Sequence, residues 1–143
     1  MGKYLLYLEL FLSILLFYFG SLGRVVENGL LPVPFTTGVI LALWAFYNMG
    51  TDVFSPFPQP RKNHKIVQKG VYKYIRHPMY TGLLLIALSL FLSHPNFLSF
   101  LIFALFAYVL DEKATLEETL LTKLHSEYQA YKSATKKFIP YLY

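Results

Sequence analysis

Cysteine is absent from the 143 residues. That excludes disulfides, thiolate metal sites and cysteine nucleophiles, and it leaves the redox compartment open. Charge is scarce: aspartate, glutamate, lysine and arginine make up 15% of the chain, against about a quarter in soluble domains. With 55% hydrophobic and 18% aromatic residues, a soluble fold this small lacks the interior to bury its apolar side chains. The composition is that of a membrane protein, and the length allows one domain. Other signatures are missing too. There is no glycine-rich phosphate loop, nucleophile elbow or metal motif, and His64, His94 and His125 show no metal-ligand spacing. No Gly-x-x-x-Gly supports helix dimerisation, so the oligomeric state stays open. Neither an internal repeat nor a low-complexity segment is present. A cleavable signal peptide is not expected: further apolar runs follow the first, which therefore reads as an anchor. The net charge of +5 does not call for nucleic acid, because the basic residues flank apolar runs.

What is present is a series of those runs. Tyr4 to Leu22 approaches the about 20 residues that cross a bilayer as a helix. A polar, Pro-containing link from Arg24 to Pro34 follows. The second run ends near Met49 and reaches spanning length if it starts near Leu30, with Pro32 and Pro34 in its first turn. Trp44 and Tyr47 fall towards its far end, where amphipathic rings favour the interface. From Met79 to Leu110 the chain carries no Asp, Glu, Lys or Arg. One helix over that run would be about 47 Å long, more than a hydrocarbon core of about 30 Å. Ser93-His94-Pro95-Asn96 breaks it, splitting it into two helices of about 14 residues each. The tail from Asp111 to Lys136 reads as an amphipathic helix. Leu120, Leu121, Leu124, Tyr128 and Tyr131 share one face, with Glu117 inside the stripe and Glu118 off it. Glu9, near one end of the first run, reads as an interfacial glutamate. The expected fold is therefore all-α: a polytopic membrane protein with about four transmembrane helices, the last two a tight hairpin, plus a C-terminal amphipathic cytoplasmic helix. Residues 1–49 would hold two membrane helices, and 50–143 the functional part of a single domain. With the N-terminus inside, twelve of the thirteen basic residues face inward and Arg24 alone faces out. Both termini are thus expected in the cytoplasm.

Between the second and third runs stands Gly70-Val71-Tyr72-Lys73-Tyr74-Ile75-Arg76-His77-Pro78-Met79-Tyr80-Thr81-Gly82. Polar chemistry kept where a loop enters the bilayer is costly and marks a functional site. Three blocks of the chain carry a resemblance: Ser55-Pro56-Phe57-Pro58-Gln59-Pro60-Arg61, then Gly70-x-Tyr72 with Arg76-His77-Pro78-x-Tyr80-x-Gly82, then Glu117-Glu118 followed by Leu121, Tyr128, Tyr131 and Ile139-Pro140. In order and spacing they resemble the integral-membrane methyltransferases that include isoprenylcysteine carboxyl methyltransferase and phospholipid N-methyltransferases.

The resemblance implies an S-adenosylmethionine-dependent methyltransferase without a Rossmann domain. Its cofactor would lie among the His-Pro-x-Tyr segment, the helix after it and the acidic helix, and a lipophilic or lipid acceptor would enter from the membrane side. Carried over by position, Tyr72, His77, Pro78, Tyr80, Gly82, Glu117 and Glu118 would bind the cofactor, and Arg76, Tyr80 and Glu117 would act in catalysis. Methyl transfer from a sulfonium needs positioning and electrostatics rather than a covalent enzyme intermediate. Glu117 or Glu118 would bind the cofactor's ammonium, and Arg76 a carboxylate. Tyr72, Tyr74 and Tyr80 offer faces to a sulfonium or an adenine. Pro78 would fix the backbone after His77, and Gly82 would permit close approach at the helix start. Taken singly, each has a plainer reading: Arg76 as a headgroup anchor, His77 as a loop cap, the tyrosines as an interface belt, the glutamates as helix-surface charge. Three departures stand out. Val71 replaces the usual proline, and Leu124-His125 stands where many relatives have Phe-Gly. Many relatives also carry an arginine before the acidic pair, proposed to hold an acceptor carboxylate; here the nearest base is Lys113, which lacks the bidentate fork. The acceptor thus stays open among a prenylcysteine-like carboxylate, a lipid amine and a small thiol. Two other functions stay open: a non-catalytic membrane binding or assembly protein that keeps the pocket, and a relative of the nicotinamide-dependent membrane reductases.

Overall fold

In order along the chain come α1 (Gly2–Phe19), α2 (Leu22–Glu27), α3 (Pro32–Met49), a 3-10 turn (Gly70–Lys73), α4 (Pro78–Ser93), α5 (Phe97–Leu124) and α6 (Tyr128–Ala134). The structure is a computed structural model that describes residues 2–51, 53–57 and 65–143. Among those residues the fold is all-α, with one isolated parallel bridge between Ile75 and Lys136. Pro58 to Arg61 of the Pro-rich block, together with Lys62 and His64, lie outside the described residues.

Local chemistry explains most boundaries. α1 closes on Gly20, whose N–H bonds Leu16 O at 2.8 Å. The polar link after it is partly helical, which sequence reading does not anticipate. Ser21 caps α2 by accepting from Arg24 N, and Val25 is buried. α3 begins with Pro32 and Pro34 in its first turn, as the spacing predicts. α4 starts on Pro78 and stops at Ser93. Asn96 then caps α5 by accepting from Ser99 N at 3.0 Å, so the expected hairpin forms.

The tail corrects the sequence reading. No separate helix runs from Asp111 to Lys136. α5 continues unbroken for 28 residues to Leu124, about 42 Å, and only the short α6 follows. No glycine or proline interrupts Phe97–Leu124, and the charges entering at Asp111 and Lys113 find partners in the fold. A change in polarity there is not a change in backbone. After α6 the chain returns to the loop before α4: Arg76 N bonds Lys136 O at 2.8 Å, His77 N bonds Lys137 O at 3.1 Å, and Lys136 N bonds Tyr74 O at 3.1 Å.

α1, α4 and α5 enclose the main core through Leu12, Leu16, Ala87, Leu90, Ile102, Phe106, Val109 and Leu110, with Val25 of α2. α3 packs on α4 at a glycine crossing. A Cβ on Gly82 would meet Gly38 O at 2.6 Å, and one on Gly38 would meet Gly82 O at 2.5 Å. Phe11, Ile14 and Phe17 of α1, Ile40, Leu43 and Trp44 of α3, and Phe100, Leu101 and Leu105 of α5 are exposed. Apolar surface on that scale marks an interaction with membrane or partner. Among the described residues one helix, α1, is long and apolar enough to cross a membrane unaided; α4 is apolar but has 16 residues.

Candidate active site

Gly70 turns the chain into the site loop with φ +59°, and a Cβ there would lie 2.3 Å from Asn48 Oδ1 at the end of α3. Glycine is required twice over, by dihedral and by space. The 3-10 turn then buries Val71 and Tyr72 against Ala45 and Ile75. Tyr131 of α6 donates its hydroxyl to Tyr72 O at 2.7 Å. Loop, α3 and α6 are thereby locked together, and Arg76 and His77 project towards α5.

The two adjacent glutamates of α5 have different surroundings. Glu118 is buried and fully engaged. Its Oε1 accepts from Arg76 Nε at 2.7 Å and lies 3.1 Å from His77 Nε2, while its Oε2 pairs with Lys132 Nζ at 2.9 Å. Burial opposes its ionisation, but the hydrogen bonds from His77, Lys132 and Arg76 outweigh that and hold the carboxyl well below the usual range. Arg76 also donates Nη1 to Lys132 O at 3.0 Å and to Thr135 O. This cluster joins loop, α5 and α6.

Glu117 points the other way. Tyr80 donates to its Oε2 at 3.2 Å, and His77 Nδ1 lies 3.8 Å from the same oxygen. Burial pushes the Glu117 carboxyl upwards, only partly offset by His77, by the Tyr80 hydrogen bond and by Lys113. Both glutamates are thus enclosed: Glu118, placed off the apolar stripe, has a side chain 5% exposed, and Glu117 lies 21% exposed on the cavity wall. α5 is flanked on two sides at this level, by the loop with α6 and by α1 with α4, so one stripe does not describe its environment.

Glu117 lines a cavity of about 370 Å³ with Tyr72, Arg76, His77, Tyr80, Glu9 and Lys113. Leu6 and Leu10 of α1, Leu43 of α3 and Phe54 to Phe57 complete its wall. Since Leu10 and Leu43 are exposed on the outer helix faces, the cavity reaches the apolar perimeter. A smaller recess of about 30 Å³ shares Tyr72, Arg76, His77 and Glu117 and adds Leu121, Tyr128 and Tyr131. The Tyr80 and His77 rings stack at 5.4 Å with 1° between planes. Tyr72 carries a buried hydroxyl with no hydrogen-bond partner among the described residues, and burial pushes it up.

Six of the residues singled out by sequence, Tyr72, Arg76, His77, Tyr80, Glu117 and Glu118, meet in this cluster. Pro78 is buried at the start of α4. Gly82 lies at the crossing with Gly38 and does not line the cavity, and Tyr74 is exposed. Glu9, read from the sequence as interfacial, is buried and forms an ion pair with Lys113 across α1 and α5. Glu9 is a lone charge inside an apolar run, and such charges pair; that rule was the available signal. Lys132 gave no signal in sequence.

Residues 30–123 match the model of the isoprenylcysteine carboxyl methyltransferase (ICMT) family. A protein-S-isoprenylcysteine O-methyltransferase of Schizosaccharomyces pombe is 33% identical over 81 residues, 55% of this chain and 34% of that protein. The chain thus spans about a third of that relative's length. No solved structure matches significantly.

Proposed function

The chain belongs to the isoprenylcysteine carboxyl methyltransferase family, and on that premise we propose that it transfers a methyl group from S-adenosylmethionine to a lipophilic acceptor reaching the site from the bilayer. One observation carries the reading. Glu117, whose carboxylate accepts a hydrogen bond from Tyr80, and Tyr72, whose buried hydroxyl has no partner among the described residues, line one cavity. Polar groups left short of partners beside a cavity are costly unless a ligand or water satisfies them. S-adenosylmethionine fits that lining: an ammonium for Glu117, a carboxylate for a basic side chain, and an aromatic base for the Tyr72 and Tyr80 side of the larger cavity.

When bound, S-adenosylmethionine would supply an electrophilic methyl group for an acceptor lone pair, its sulfur keeping the electron pair of the broken bond. The residues position and exclude. Glu117 holds the cationic end of the ligand, and Tyr80 holds Glu117. Arg76 spends Nε and Nη1 on Glu118 and the α6 carbonyls, leaving Nη2 for a carboxylate oxygen. Glu118 and Lys132 keep Arg76 and His77 in place. The stacked His77 and Tyr80 rings form a wall for a sulfonium. The apolar lining from α1 and α3 sheds water, which strengthens these electrostatic contacts.

The topology belongs to the same proposal: α1, α3, α4 and the first half of α5 cross the membrane and both termini lie in the cytoplasm, in line with the placement of basic residues. The site then opens on the cytoplasmic face. The test is incubation of the full chain, in nanodiscs of mixed phospholipid, with methyl-labelled S-adenosylmethionine and a panel of lipophilic thiols, amines and prenylcysteines. Label in the organic extract is expected. Cofactor binding with no label transferred to any acceptor supports the non-catalytic binding protein instead.

A further inference from the structure

Lys113 and Glu9 form a buried pair inside the cavity, where the positioning of cofactor and acceptor does not use them. Their side chains are 3% and 9% exposed, and both line the cavity wall. Lys113 Nζ also sits 5.3 Å above the Tyr80 ring. It stands one helical turn before Glu117 on the same face of α5. The pair therefore lies beside the point where cofactor and acceptor would meet.

The charges along the cavity balance in a particular way. Among the described residues its cations are Arg76 and Lys113, with His77 against the acidic pair. Arg76 is bound by Glu118 and Lys113 by Glu9. The carboxylate left over is Glu117, which suits a cationic cofactor. With Arg76 Nη2 given to the cofactor carboxylate, no cation among the described lining residues is left for an acceptor carboxylate. An acceptor bearing one would have to displace Glu9 from Lys113, stranding a buried glutamate with no second cation in contact among the described residues; breaking a buried pair in that manner is strongly unfavourable. An uncharged acceptor group meets no such cost.

We propose that Glu9 is a specificity-determining residue: by occupying Lys113 it closes the cavity to acceptors with a free carboxylate and leaves it to lipophilic acceptors whose methyl-accepting group is a neutral amine or thiol. The proposal rests on the methyl-transfer reading and names the acceptor class for it. By this reading the cavity's own glutamate occupies the lysine that an acceptor carboxylate would need.

Binding of N-acetyl-S-farnesylcysteine and of its uncharged methyl ester to the full chain, measured in one detergent for wild type, Glu9→Gln and Lys113→Met, tests this. Wild type binds the ester tighter than the acid. In Glu9→Gln the freed Lys113 shifts the acid-to-ester ratio at least tenfold towards the acid, and in Lys113→Met the ester preference persists. Each ratio is taken within one variant, so differences in folded fraction cancel. A wild-type preference for the acid overturns the proposal even if neither variant folds. So does a ratio unmoved in Glu9→Gln, or binding of neither compound. S-adenosylhomocysteine titrated into the same samples reports the methyl-transfer reading separately. Lost cofactor binding with the expected ratios removes that reading alone, and intact cofactor binding with the wrong ratios removes the Glu9 assignment alone.

Discussion

Replacing Glu118 by glutamine removes the charge on which three elements converge while keeping the shape. The carboxylate receives Arg76 at 2.7 Å, Lys132 at 2.9 Å and His77 at 3.1 Å. Hydrogen bonds to a charged group contribute about 1.5–3 kcal/mol each, but the sum overstates the loss. Lys132 is 41% exposed and rehydrates, and one glutamine oxygen still accepts from Arg76. The remaining penalty is the Arg76 charge, 8% exposed and left with carbonyl acceptors alone. We expect a loss of about 2–3 kcal/mol, below the 3–5 kcal/mol of a fully stripped buried pair. The pH dependence supplies a signature. The Glu118 carboxyl lies below its unfolded value, so its contribution is complete above the unfolded pKa of about 4.3 and is lost as pH falls towards the folded one. Chemical denaturation in detergent, followed by circular dichroism at pH 7, 5 and 3.5, should show an equal gap between wild type and variant at the first two values and a smaller gap at the third. A gap under about 0.5 kcal/mol, the size of a surface substitution, or one that widens at pH 3.5, refutes the central role of Glu118.

Glu117→Gln should act in the opposite sense. The folded pKa is raised, so the stability tied to the neutral form is present below the unfolded pKa and lost as pH rises through the folded one; a neutral glutamine therefore unfolds no more easily than wild type at pH 7, which thermal melting checks. Tyr72→Phe removes a buried hydroxyl without a partner among the described residues, so the melting temperature should hold or rise, whereas S-adenosylhomocysteine affinity falls about tenfold, the equivalent of one hydrogen bond. Tyr131→Phe loses the bond to Tyr72 O and should cost about 0.5–1.5 kcal/mol by denaturant titration. Gly82→Ala places a methyl 2.6 Å from Gly38 O and should cost about 1–3 kcal/mol through forced separation of α3 and α4; an unchanged midpoint contradicts that crossing.

The parts of the fold legible in sequence are those with a local cause. Pro32 and Pro34 open α3, Pro78 opens α4, and Asn96 with Pro95 makes the hairpin turn. Each is a backbone constraint written into one or two residues. The continuity of α5 was not legible, because the change from apolar to charged at Asp111 mimics an element boundary while the backbone has no reason to break. The site was legible as a set of residues but not as a division of labour. Glu117 and Glu118 are chemically identical neighbours, and only the return of Lys132 and Thr135 to Arg76 decides which one is consumed by the fold. The partnership of Glu9 with Lys113 spans most of the chain, and no periodicity reports such a contact.

Calorimetric titration of S-adenosylhomocysteine into the purified full chain, beside Glu117→Gln, tests the central claim most directly. The account predicts saturable one-to-one binding by wild type and at least tenfold weaker binding by the variant at pH 7, with wild-type affinity also falling at lower pH as the raised Glu117 carboxyl protonates. Equal binding by both proteins, or none by folded wild type in detergent and in nanodiscs, contradicts it.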